Sequence, residues 1–185
     1  MRDIKVLYLP HPTLSVEQKN SFLSKQIGEK FNLRIFDRSV DPIPQFDGIE
    51  VIVDLGGNIT VELIRIAAQS GVKYIQVQTN GLDHVEVEEI LDVGITLAHC
   101  PGDLSSVSLA QGAMMFILML AHGYGFASSQ FFQGKFFSFQ GMEVVGRSLG
   151  ILGFGASGQQ LARRAKAFGM KVHGIDIREI EKEIL

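Results

Sequence analysis

The sequence predicts an α/β chain that ends in a nucleotide-binding strand, turn and helix. Three observations carry this. Over the first 98 residues, short apolar runs alternate with segments of helical periodicity, the order of an open, mostly parallel sheet covered on both faces. Further on, the apolar run Ser148-Leu149-Gly150-Ile151-Leu152 leads into Gly153-Phe154-Gly155-Ala156-Ser157-Gly158, three glycines spaced G-x-G-x-x-G. A helical pattern from Gln159 to Phe168 follows. A second apolar run, Met170 to Ile175, then ends on Asp176, 18 positions beyond Gly158. Strand, glycine turn, helix, strand and carboxylate is the order of a dinucleotide-binding unit.

Taken in order, Ile4 to Leu9 reads as a first strand, broken by Pro10-His11-Pro12. A helix is expected over Val16 to Lys30, with Phe22, Leu23, Gln26 and Ile27 near its inner face, and a strand over Asn32 to Phe36. Asp41-Pro42-Ile43-Pro44 reads as a loop because two prolines oppose regular structure. Glu50 to Asp54 is a third strand. Thr60 is a good cap for a helix running to about Gln69 and ended by Gly71. Lys73 to Gln78 and Ile95 to Ala98 are the fourth and fifth strands, with a short helix from Val85 to Leu91 between them. Pro101-Gly102 marks a boundary, and an apolar helix is expected from Ser108 to His122, with Met114, Met115 and Met119 in its core packing.

In parallel sheets ligands gather at the carboxyl ends of strands. Two loops leave strand ends in the first part, Asp54 to Asn58 and Thr79 to Asp83. In the second part each glycine has a separate task. Gly153 turns the chain, Gly155 leaves room for a pyrophosphate, and Gly158 brings helix and strand together. The free N–H groups at the helix start, at Ala156, Ser157 and Gly158, would then face the phosphates. Asp176 stands where an acid bonds the adenosine ribose hydroxyls, which favours NAD; Arg178 beside it keeps NADP possible.

The chain's 185 residues leave room for one domain or two small ones. A net charge of −3 gives no electrostatic reason to expect nucleic acid or an anionic membrane surface. The single Cys100 excludes an internal disulfide and fits a reducing, cytoplasmic setting. The amino-terminal residues carry no apolar signal core, and the longest apolar run, Ala113 to Ala121, is about half what a bilayer requires. No Cys/His spacing suggests a metal. Six of the 13 phenylalanines fall between Gly123 and Gly141, at Phe126, Phe131, Phe132, Phe136, Phe137 and Phe139. Interspersed Gln, Ser and Gly suggest an arm that meets another subunit there.

These parts resemble the D-isomer-specific 2-hydroxyacid dehydrogenase family from about Asp54 to Asp176. The likeness is strongest in Gly146 to Gly155 and in Ala162 to Val172. Gly94-Ile95, Pro101-Gly102, Ser108-Leu109-Ala110-Gln111 and Gln133-Gly134-Lys135-Phe136 add to it. It implies a flavodoxin-like, parallel-sheet substrate-side domain over 1–98, followed over 99–185 by an incomplete Rossmann NAD-binding domain with a dimerisation arm at about 108–140. It also implies that Asn80-Gly81 contacts the carboxylate of a 2-keto or 2-hydroxy acid, of hydroxypyruvate or glyoxylate type. Thr79, His99, Gln111 and Ala156-Ser157 depart from the family's usual residues.

The family's catalytic Arg, Glu and His are expected beyond Asp176, so no residue of this chain is assigned a catalytic role. The resemblance therefore implies the amino-terminal part of an NAD(P)-dependent oxidoreductase. The alternative is a truncated, inactive isoform that dimerises, with itself or with a full-length relative, as a regulatory partner.

Overall fold

In the computed structural model the structure describes residues 4–15, 22–136 and 140–180, with residues 22–24 by backbone alone. The chain divides into two compact units, Met1–Pro101 and Gly102–Leu185.

The first unit holds β1 (Lys5–Leu9), α1 (Phe22–Gly28), β2 (Asn32–Ile35), β3 (Val51–Asp54), α2 (Val61–Gln69), β4 (Tyr74–Val77), α3 (Val87–Asp92) and β5 (Thr96–His99). All five strands are parallel, in the order β2-β1-β3-β4-β5. This is the flavodoxin-like order, and it places the reversal of winding between β1 and β3. Strand side chains alternate faces, so β1 serves two cores. Leu7 and Leu9 join Ile52, Ile75 and Val77 under α2 and α3, which contribute Leu63, Ile64, Ala67 and Ile90. Val6 and Tyr8 join Val53 on the other face, against Ile27 of α1. Burial on both faces explains why these strands read as continuous apolar runs rather than alternating ones.

Most expected elements form within a residue or two of their expected ends, the usual scatter where helices fray and ladders stop. The Thr60 hydroxyl caps α2 by accepting from the Leu63 N–H at 3.4 Å. Residues 16–21 of the expected first helix lie outside the described residues, as do Phe137 and Phe139. The Asp41–Pro44 segment departs from expectation. Ile43–Phe46 forms a 3₁₀ turn with proline in its first turn. A proline's fixed φ suits a helix start, where its missing N–H is not needed. Phe46 supplies the reason to turn: it is fully buried and lies edge-on to Phe36 at 6.0 Å.

The second unit holds α4 (Asp103–Ala121), α5 (Tyr124–Phe132), β6 (Ser148–Leu152), α6 (Ala156–Ala167) and β7 (Lys171–Ile175). α4 begins at Asp103, five residues before the expected Ser108. Its polar first turn hides the start from an apolar pattern, while the acid there suits the helix dipole. β6 and β7 pair in parallel from Ser148–Lys171 to Leu152–Ile175. The core between them and α6 is Ile151, Phe154 and Ala162, flanked by Leu149, Leu161 and Val172. On α6 the buried stripe is Ala162 and Ala165, while Phe168, which follows the helix, is exposed.

α4 buries only part of its apolar surface. Met114 is buried, Met119 half-buried and Met115 exposed, which corrects the expectation that all three pack inside. By length and composition this is one helix long and apolar enough to cross a membrane. Its buried Ala110 and Met114 and its packing along α6 mark it instead as a helix with one face inside its own unit.

Replacing Phe46 with Ala should cost about 3–5 kcal/mol, because it empties a ring-sized volume and removes the edge-on contact with Phe36. Denaturant unfolding checks this; a loss below ~1 kcal/mol would place Phe46 outside the core.

Candidate functional site

In the second unit, β6 delivers the chain to Gly153, whose φ of +90° is a conformation that side chains disfavour. Its N–H donates to the Ile175 carbonyl at 2.8 Å, so the turn is locked to the end of β7. A Cβ at Gly158 would collide with the Gly153 carbonyl oxygen and touch Ile151 at 3.4 Å. Only glycine lets the first turn of α6 sit against that carbonyl. Gly155 is different. A Cβ there would meet only the Arg178 guanidinium, at 3.7 Å, so its open side faces the space above the turn. Among the described residues the N–H groups of Ala156, Ser157 and Gly158 have no acceptor, and no side chain caps α6. Unpaired donors at the positive end of a helix form an anion site, and the bare Gly155 face lets an anion approach it.

Asp176 closes this site from β7. Its Oδ2 accepts from the Phe154 N–H at 2.6 Å, and its Oδ1 from the Arg178 N–H at 3.1 Å. The Arg178 guanidinium stands 3.6 Å from Oδ1. These N–H groups, Arg178's first and then Phe154's, hold the carboxyl below its ordinary pKa. Stability from this anchoring is therefore present at neutral pH and lost as the pH falls through the lowered value. Leu152, Gly153, Ile175, Asp176 and Ile177 enclose an open notch of about 430 Å³ beside the turn. Every residue expected to hold cofactor in this motif, Gly153, Gly155, Ala156, Ser157, Gly158 and Asp176, is thus gathered at one end of two paired strands.

The first unit gathers a second set of loops at the carboxyl ends of its strands. After β4, the Cys100 N–H donates to the Thr79 carbonyl at 3.1 Å, and the Thr79 hydroxyl donates to the Gly81 carbonyl at 3.0 Å. His99 Nδ1 lies 2.9 Å from the Asn80 carbonyl. Among the described residues the N–H groups of Asn80 and Gly81 have no acceptor. Carbonyls tied inward and N–H groups left free fit a carboxylate ligand.

After β3, Gly56 and Gly57 both have positive φ, of 101° and 67°. Asp54 anchors this turn from below. It is fully buried, its Oδ2 accepting from the Ile59 N–H at 2.8 Å and its Oδ1 without a hydrogen-bond partner among the described residues. Burial pushes its pKa up, against the nearby Asn58, Ile59 and Gly57 N–H groups and the Arg38 charge. The stability linked to this shift is full below the ordinary aspartate pKa and is lost as the pH rises through the raised one. Sequence reading placed Asp54 at a strand end but missed this role. The signal was an acid closing an otherwise apolar strand.

Residues 114–184 match the family model described as the NAD binding domain of D-isomer specific 2-hydroxyacid dehydrogenase. The chain is 34% identical over 132 residues to a D-3-phosphoglycerate dehydrogenase of Methanocaldococcus jannaschii, covering 70% of this chain and 25% of that protein. It is 32% identical over 150 residues to a hydroxypyruvate reductase of Thermotoga maritima, covering 80% and 47%. A solved structure from Polaromonas, described as a D-isomer specific 2-hydroxyacid dehydrogenase, superposes with a TM-score of 0.76 at 26% identity. That match covers 99% of this chain and 58% of that one. The chain thus spans about half the length, or less, of the curated relatives it matches.

Gly158→Ala should destabilise the protein by about 1–3 kcal/mol, since backbone rather than a flexible side chain blocks the new Cβ. Gly155→Ala should stay within about 0.5 kcal/mol, because its backbone angles suit alanine and its Cβ enters open space. Thermal unfolding of both variants checks the contrast. A neutral Gly158→Ala would show that the close approach to Gly153 is dispensable.

Proposed function

The chain belongs to the D-isomer-specific 2-hydroxyacid dehydrogenase family, and from that premise we propose that it forms the substrate-side unit and the first half of the cofactor unit of a 2-keto acid reductase. The observation that carries this reading is the row of unpaired N–H groups over the bare face of Gly155, closed by Asp176. The residues fit NAD. The α6 N-terminus suits the pyrophosphate, and Asp176 suits the adenosine ribose hydroxyls once Phe154 and Arg178 yield them an oxygen. Arg178 beside the acid makes NADP an acceptable second cofactor. When bound, the nicotinamide supplies or accepts hydride.

The unit before Pro101 is read as the substrate side. The free N–H groups of Asn80 and Gly81 would bind and orient the carboxylate of a small 2-keto acid such as hydroxypyruvate or glyoxylate. Binding of this kind sets which carbon faces the hydride donor. No group in this chain is assigned the proton transfer. A reducing, cytoplasmic compartment suits the unpaired Cys100.

Two copies would join through the segment 108–140. Supporting this, Leu109, Phe116 and Leu120 of α4 are exposed, as are Phe126, Phe131 and Phe132 of α5 with Phe136 after it. Phe131 meets Phe132 and Phe136 edge-on at 6.1 and 5.5 Å, so the rings form one patch. Exposed apolar rings gathered in this way are what a second subunit would cover. The same surface also supports the second reading, a dimerising partner without activity of its own.

Titration with NADH, followed by cofactor fluorescence, tests the cofactor assignment. Asp176→Ala should weaken binding roughly tenfold or more, the weight of a charge-assisted hydrogen bond. An unchanged affinity would remove Asp176 from the site. For the interface, Phe132→Glu should shift the protein from dimer to monomer in sedimentation velocity. A chain that sediments as a monomer before the substitution would dismiss the arm as a self-contact.

A further inference from the structure

We propose that His99 is a positioning residue, committing its Nδ1–H to the Asn80 carbonyl so that the Asn80-Gly81 amides stay turned outward to a substrate carboxylate, while His84 pins the same loop to the turn after β3. This rests on the carboxylate reading of that loop.

The argument starts from valence. A carbonyl oxygen can only accept, so a ring nitrogen at hydrogen-bond distance from one must carry the proton. His99 Nδ1 lies 2.9 Å from the Asn80 carbonyl, which fixes the Nδ1–H form and leaves Nε2 bare in the neutral ring. His84 Nε2 lies 2.8 Å from the Gly56 carbonyl, which fixes the opposite form, Nε2–H, with Nδ1 bare. The two imidazoles are therefore held in opposite tautomers by two different loops.

Their placement gives these bonds a purpose. His99 ends β5 and reaches sideways to the loop after β4. His84 leaves that same loop and reaches to the turn after β3, where its ring covers Gly57 so closely that a Cβ there would lie 2.7 Å from Nε2. One imidazole thus ties β5 to the β4 loop, and the other ties the β4 loop to the β3 turn. The Asn80 carbonyl is the group that would otherwise be free to rotate. Flipping its peptide would point a carbonyl at the ligand and turn the Gly81 N–H away. The His99 bond opposes that flip, as the Cys100 and Thr79 bonds do for the neighbouring carbonyls. Both rings are solvent-exposed, so their bonds contribute little to burial and much to orientation.

Nitrogen-15 NMR on the full 185-residue chain, with glyoxylate as the probe, tests this. The ring resonances should report Nδ1–H for His99 and Nε2–H for His84. Glyoxylate should move the Asn80 and Gly81 amide signals. His99→Leu should weaken glyoxylate binding about tenfold, the effect of one lost orienting hydrogen bond. His99→Asn, which keeps an N–H donor, should bind within about twofold of the parent, with melting temperatures unchanged in both. The opposite tautomer at His99, or equal affinity in the Leu variant, would overturn the positioning role even if glyoxylate binds. Expected tautomers with no response from the Asn80 and Gly81 amides would instead overturn the carboxylate reading, and this proposal with it.

Discussion

The contact between the Gly153 carbonyl and the first turn of α6 is the constraint on which the nucleotide turn depends. Because Gly158 has no side chain, the helix axis can begin directly over the end of β6. That position aims the unpaired N–H groups of Ala156, Ser157 and Gly158 at the space beyond the strand ends. It also lets Phe154 turn inward, where its ring lies over Gly174 of β7 at distances a Cβ would not allow, 2.6 Å to the nearest ring atom. Phe154 then holds its own N–H against Asp176. A larger residue at 158 would move the helix, and with it the ring, the acid and the donors. Packing and binding geometry are here one property of one missing methyl group.

Apolar surface divides differently in the two units. The sheet of the first unit is sandwiched, and among the described residues the ten largest fully buried side chains, Tyr8, Phe46 and Leu7 among them, all lie in that unit. In the second unit Leu120, Phe132, Leu152 and Ile177 are each more than four-fifths exposed. Leu152 and Ile177 flank the open ends of a two-stranded sheet, a form that is marginal without further strands or covering helices. Phe132 belongs instead to the ring cluster it forms with Phe131 and Phe136. These are distinct surfaces with distinct demands. The first needs strand pairing, because its edges carry unused backbone groups; the second needs only apolar contact.

The order of elements was legible because it depends on local signals. Thr60 caps a helix whatever surrounds it, Gly71 and Gly169 end helices by adopting positive φ, and runs such as Val51-Ile52-Val53 suit buried parallel strands. The three glycines of the turn were legible for the same reason, since each answers a steric demand set within a few residues. What stayed hidden depends on partners distant in sequence. Ile43–Phe46 forms a 3₁₀ turn because Phe46 packs edge-on against Phe36. Met115 is exposed although its neighbour Met114 is buried, a choice made by where α6 crosses. His84 and His99 show the same limit. Their positions could be read, but not that each would find a carbonyl 28 or 19 residues away.

Both candidate sites follow one backbone logic, and it explains how a chain of net charge −3 can be built to receive anions. Neither site relies on a cluster of Lys or Arg. At the glycine turn the donors are the first N–H groups of α6, free because a helix start has no preceding carbonyls to serve. At Asn80-Gly81 the donors are free for a different reason: neighbouring carbonyls are occupied by Cys100, His99 and Thr79, so the peptides present their other side. Oriented peptide dipoles attract an anion only within a few ångströms, and they are already aligned before it arrives. Such sites discriminate by shape more than by charge, since a carboxylate or pyrophosphate must fit the spacing of fixed N–H groups. An acidic overall charge is therefore compatible with anion binding at both candidate sites. Loss of either site would come from changes that reorient peptides, rather than from changes in surface charge.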